Sequence, residues 1–217
     1  MSFVHRFGGI DIVINNASAI CLSDTVKTDM KRYDLMHSIN GRGTFLVCKL
    51  AIPYLKKSSN GHIIMLSPPL SMHSQWFAKN LAYTMSMYNM SMCVLGLASE
   101  LKPFGVAVNA LWPKTIIATS ALQAIVPSDG GASLAKKGRQ PDIMADAAYI
   151  LMNTPSKEYS GHFTIDDDLL KSQGITDFDK YRVTPGSSPL APGMHLLLLF
   201  HLSFDLSFYC AFSRFFH

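Results

Sequence analysis

An α/β fold built on a doubly wound, parallel sheet is what these 217 residues predict, and three observations carry the prediction. Four short apolar runs alternate with longer stretches of helical spacing, the pattern of βαβ units with helices on both faces of a sheet. Apolar residues make up 48% of the chain and charged residues 16%, so a core is affordable and global disorder is excluded. The length fits one domain of α/β size.

The elements follow in order. Residues 10–15 (IDIVIN) lie between Gly8-Gly9 and an Asn-Asn pair, and read as a fully buried parallel strand. Residues 29–57 place Tyr33, Met36, Ile39, Leu46, Leu50 and Tyr54 at helical spacing. Lys56 and Lys57 suit a helix C-terminus, and Asn60-Gly61 supplies the stop. Residues 62–67 (HIIMLS) form a second strand, ended by Pro68-Pro69, which cannot continue a ladder. A loop then leads into a helix that carries Tyr83 and runs to about Lys102. Pro103 and Gly105 break it before a third strand at 106–111 (VAVNAL). Residues 114–140 have the composition of a loop with short helices. Pro141 and Asp142 open a helix over 141–152, and 161–166 (GHFTID) is the fourth strand. The domain therefore spans 1–170, followed by an irregular extension at 171–192 and an apolar tail at 193–217.

That tail spaces Phe200, Phe204, Phe208 and Phe212 four apart but also alternates apolar with polar, so helix and strand both stay open. Its length suits a membrane span, yet Asp205 near its middle would cost about 3 kcal/mol. A tail lying outside the fold is favoured over a span, with membrane contact through 193–217 the alternative. The net charge is +4 and no Lys/Arg run exceeds two, which excludes the footprint of a nucleic-acid binder. Four scattered cysteines read as reduced small hydrophobes of an intracellular protein. The histidines form no HxxxH or HxH group, so no metal site is predicted. The N-terminus has no signal-peptide pattern.

Four stretches carry a resemblance: NNAS (15–18), SINGRGTF (38–45), AYTMSM (82–87) and ASELKPFGVAVNALWP (98–113). In this order they resemble the short-chain dehydrogenase/reductase family over about residues 7–170, and SPPL (67–70), YNMSMCVLG (88–96) and NALWPKT (109–115) resemble its hydroxysteroid dehydrogenase-like branch in particular. The resemblance implies a Rossmann-like fold, NADP(H) as cofactor, and a lipid-like carbonyl or alcohol as substrate. It implies a peroxisomal or mitochondrial location, although the chain ends in RFFH and shows no targeting signal. Association with itself or with intact relatives is a further implication.

The same resemblance assigns the site. Tyr83 stands where the family has its proton-transferring tyrosine, and Asn40 where an asparagine interrupts a helix and binds a relay water. Ser67 is favoured as the carbonyl-polarising serine, with Ser71 nearer the family's spacing but beyond two prolines. The plain alternative for Ser67 is a strand-end serine capping its own turn. Asn15, Asn16 and Ala17 would support the adenosine side of the cofactor, and Pro113 and Thr115 the nicotinamide.

Two departures stand out. Met87 occupies the place of the family's lysine, whose charge lowers the tyrosine pKa and whose ammonium holds the ribose. No GxGxxG or GxxxGxG occurs in the sequence, so the Gly-rich turn that cradles a pyrophosphate is missing. The expectation is an incomplete sheet lacking the first βαβαβ half, with a strand edge and an apolar face left uncovered. Lys114 also replaces a usual glycine. Cofactor binding and activity are accordingly expected to be impaired; the alternative is a non-catalytic pseudoenzyme or a truncation or splice product.

Overall fold

A computed structural model describes residues 3–126, 129–186 and 189–193. Strands β1 (Ile12–Asn15), β2 (His62–Met65), β3 (Ala107–Trp112) and β4 (Phe163–Ile165) form one sheet in the order β1-β2-β3-β4. Every neighbouring pair is parallel, with Ile14 beside Ile64 and Ile64 beside Asn109. The α-helices are α1 (Phe3–Phe7), α2 (Met30–Met36), α3 (Thr44–Leu55), α4 (Leu81–Leu101), α5 (Ser120–Ile125), α6 (Asp129–Lys136), α7 (Asp142–Asn153) and α8 (Asp166–Ser172) among the described residues. The Rossmann-like expectation is borne out.

Burial explains the strand sequences. On one face, Cys48, Ala51 and Leu55 of α3 and Val94, Leu97 and Leu101 of α4 pack on Ile63, Met65, Val108 and Ala110. On the other, Ile143, Ala147 and Leu151 of α7, Leu170 of α8 and Tyr181 pack on Ile64 and Leu111. A strand covered on both faces has no polar face to show, so β2 and most of β3 read as unbroken apolar runs.

The first strand departs from its prediction. Ile12 is 44% exposed and Ile14 47%, so β1 is not fully buried. It lies at an edge of the sheet, and its paired register puts both isoleucines on the face of Ile64, beyond the residues that α7 and α8 cover. The helical stretch expected over 29–57, with its interruption at Asn40, is divided. Asp29 caps α2 by accepting from the N–H groups of Lys31 and Arg32, and a π-helical turn, His37–Gly43, separates α2 from α3. Cys48 and Cys93 are free thiols, and Cys210 lies outside the described residues. Residues 194–217, with most of the apolar tail, lie outside the described residues. Among those described, no helix is long and apolar enough to cross a membrane.

One buried base gives the fold an acid limb. His62 is 1% exposed, and burial lowers its pKa below the ordinary 6.5, more than its backbone hydrogen bond at Thr154 raises it. The unfolded chain then binds the extra proton first. Stability is complete above pH 6.5 and is lost as pH falls from there through the lowered folded value. Thermal melts between pH 4 and 8 should show this loss, and His62→Gln should flatten it below pH 6.5; an unchanged slope would refute the assignment.

Candidate functional site

The carboxyl ends of four parallel strands gather the site, the place where open α/β sheets bind ligands. Asn15 ends β1, Ser67 lies just past β2, Pro113 to Thr115 follow β3, and Asp166 follows β4. Helix α4 brings Tyr83 and Met87 in its first two turns.

Asn40 is the organising residue. It sits fully buried in the π-helical turn, whose wider hydrogen-bond spacing turns its side chain out of the regular helical ladder. Its Oδ1 accepts from the Ala19 N–H at 2.7 Å. Its Nδ2 donates to the Ala19 carbonyl and to Ser86 Oγ, each at 2.9 Å, and lies 3.6 Å from the Met87 sulfur. The Ser86 hydroxyl passes the link on to the Tyr83 carbonyl at 2.8 Å. One amide thus fastens the segment after β1 to the helix carrying Tyr83. Gly41 makes the approach possible, because a Cβ there would lie 3.0 Å from Asn89 Nδ2.

Tyr83 is half-buried against the cluster of Ala19, Cys21, Met36 and Ala82. Burial pushes its phenol well above the ordinary 10, with no compensating cation. Met87, one helical turn further along α4 and 3% exposed, supplies only a thioether. Proton transfer near neutral pH needs the phenol lowered by about 3 units, roughly 4 kcal/mol, and here the shift has the opposite sign.

Ser67 is fully buried and its hydroxyl makes no hydrogen bond, so it does not cap its own turn. Ser71 Oγ accepts from the His73 N–H at 3.4 Å, and the Ser71 backbone N–H and carbonyl both meet the Tyr88 hydroxyl, at 3.1 and 3.0 Å. The Thr115 hydroxyl is likewise buried without a partner. Asn15 ties β1 to α3 through Cys48 Sγ at 3.3 Å, while Asn16 and Ala17 are exposed. Pro113 is half-buried at the end of β3.

An ionic cluster beside these residues was not anticipated. Asp167, 2% exposed, takes Arg139 at 2.7 Å and Lys114 at 3.3 Å, and also pairs with Lys171. Burial pushes its carboxyl up, but Lys171, Arg139 and Lys114 together outweigh that and hold it at about 2. Asp166, fully buried, accepts from the Lys114 N–H at 2.8 Å, and burial raises its pKa. The run Asp166–Asp168 directly after a strand was the available signal; its cationic partners lie up to 54 positions away.

The Ser67 and Thr115 hydroxyls, buried and without a partner, are free to meet a polar group of a ligand. A pyrophosphate needs free N–H groups at a helix N-terminus. Asp29 already fills that position on α2, and the first turn of α8 carries Asp166, Asp167 and Asp168.

A family model described as short chain dehydrogenase matches residues 2–129. Hydroxysteroid dehydrogenase-like protein 2 of Xenopus tropicalis is 53% identical over 193 residues, covering 89% of this chain and 45% of its own. The Homo sapiens protein of that name is 49% identical over 193 residues, again 89% of this chain and 44% of its own. The chain thus spans about half the length of these relatives. Among solved structures, a Xanthomonas campestris chain matches with a TM-score of 0.81 and 44% identity, covering 88% of this chain and 68% of that one. A short chain dehydrogenase from Mycobacterium thermoresistibile matches at 0.79 and 42%, covering 87% and 65%. The ketoreductase LanV with bound NADP, 20% identical at a TM-score of 0.60 over 75% of this chain and 64% of its own, shares the fold.

Proposed function

We propose, from the premise that this chain belongs to the short chain dehydrogenase family, that it carries a carbonyl–alcohol oxidoreductase site for a lipid-like substrate whose proton transfer is disabled. The observation that carries this reading is Met87, buried against Asn40, where the chemistry requires a cation.

A nicotinamide cofactor would supply or take the hydride in this family, with NADP(H) the form that the resemblance favours. The chain's own residues divide the remaining work. Ser67 would polarise the substrate oxygen. Tyr83 would exchange a proton with it, and Asn40 positions the helix that bears Tyr83. A protonated phenol can donate once, but the phenolate left behind has no countercharge. Exposed apolar side chains in the segments after β1 and β2, Val26 at 95%, Met30 at 62% and Met72 at 91%, support an apolar substrate.

The Asp29-capped N-terminus of α2, the acidic first turn of α8 and the lack of a Gly-rich turn make these 217 residues poor hosts for a dinucleotide. Isothermal calorimetry with NADPH and with NADH should show no saturable binding at protein concentrations near 100 μM. Micromolar affinity for either would overturn the reading.

A further inference from the structure

The opposite end of the sheet carries a second concavity. A half-open groove of about 770 Å³ lies at the amino end of β3, away from Ser67, Tyr83 and Thr115. Its volume falls within the usual range of small-molecule sites. One wall is a stripe of α4: Leu95, Ala98, Ser99 and Lys102 stand at i, i+3, i+4 and i+7 and share one helical face. The facing wall is the 156–160 segment before β4, and Phe104 and Val106 close the base.

The walls are held firmly. Ser156 donates to the Gly105 carbonyl at 2.6 Å, its N–H donates to Asn60 Oδ1 at 2.8 Å, and Ser160 Oγ accepts the Val108 N–H at 3.0 Å. Gly105 adopts φ 68°, and a Cβ there would come within 3.0 Å of Lys157 Cε. The glycine therefore lets the Lys157 stem cross the chain and bring its ammonium to the groove.

The lining is two-sided in chemistry. Leu95 and Phe104 are 51% and 48% exposed, large apolar groups left open to water. Lys102 and Lys157 make no ion pair among the described residues, and Glu158 is the one acid of the lining. The outer face of Phe104 adds positive charge, with Lys56 Nζ 3.6 Å from the ring centroid. We propose that this groove binds an amphiphilic carboxylate, its apolar chain lying along Leu95, Ala98 and Phe104 and its anionic head between Lys102 and Lys157. Charge complementarity selects the head, since two unpaired ammonium groups outnumber one carboxylate. Open apolar area selects the chain. This inference is independent of the state of the proton-transfer site.

The test is calorimetry of the full chain with dodecanoate below its micellar concentration, compared with dodecyltrimethylammonium, which has the same tail and opposite charge. Dodecanoate should bind with one-to-one saturation and the cation should not. The double variant Lys102→Gln/Lys157→Gln should weaken dodecanoate by about tenfold or more. Leu95→Ser should also weaken it, and the remote Lys27→Gln should leave it unchanged. All four are surface positions, and a thermal melt of each checks the fold. No saturation, equal binding of the cationic amphiphile, or affinity unchanged by the lysine substitutions would overturn the proposal.

Discussion

Met87→Lys is expected to destabilise the chain by about 3 kcal/mol at pH 7 and to produce no carbonyl reduction with NADPH, the cost being that of burying a charge without a partner. The neighbourhood sets the sign. Position 87 is 3% exposed, and the polar group that reaches it is the Asn40 amide nitrogen. That amide cannot flip to offer its oxygen, because Oδ1 is held by the Ala19 N–H at 2.7 Å. An ammonium would face a donor, so its folded pKa would be depressed. The unfolded chain then holds the proton more tightly, and the deficit should shrink as pH rises toward the free lysine value near 10.4. Urea denaturation at pH 7 and 9.5 checks both statements. A loss below about 0.5 kcal/mol at pH 7 would show that a cation is tolerated there. Turnover by this variant would refute the claim that the phosphate end of the site is unsuitable.

Asn40→Ala should cost more stability, about 3–5 kcal/mol, because it orphans a buried N–H and carbonyl on Ala19 at about 1–3 kcal/mol each and leaves a cavity. Both Ala19 groups find their partner on this one side chain, across 21 positions of sequence. Ser86 is a control for the same network. Its hydroxyl keeps the Tyr83 carbonyl when Asn40 is lost, so Ser86→Ala should cost about 1 kcal/mol, the worth of ordinary hydrogen bonds. Guanidinium titrations of the two variants test the ordering. Equal losses, or an Asn40→Ala loss under about 1 kcal/mol, would mean that the clamp does not hold the site together.

Much of the fold was legible because two-sided burial leaves its mark in the residues themselves. The runs containing Ile63 to Met65 and Val108 to Leu111 are apolar without interruption since helices cover both faces. The same rule misled at β1. Ile12 and Ile14 have the composition of a covered strand, and only sheet order shows that α7 and α8 do not extend over them. The break at Asn40 was expected as an interrupted helix, but composition cannot distinguish a π-helical turn from a kink. That choice depends on the Ala19 backbone, which is distant in sequence.

The candidate site divides in the same manner. The methionine four residues after Tyr83, and the lack of a Gly-rich turn in these 217 residues, are chemical identities that the sequence determined alone. So was the alternation of strands and helices, because hydrophobic period is a local property of the chain. The tertiary structure decided which polar groups have partners. It left the Ser67 and Thr115 hydroxyls buried and unpaired, and it placed Asp167 among Lys114, Arg139 and Lys171. It also closed the α2 N-terminus with Asp29 and turned the Asn40 amide toward Met87. Hydrogen bonds and ion pairs depend on distances of a few ångströms between residues tens of positions apart, and no local pattern in a sequence encodes those distances.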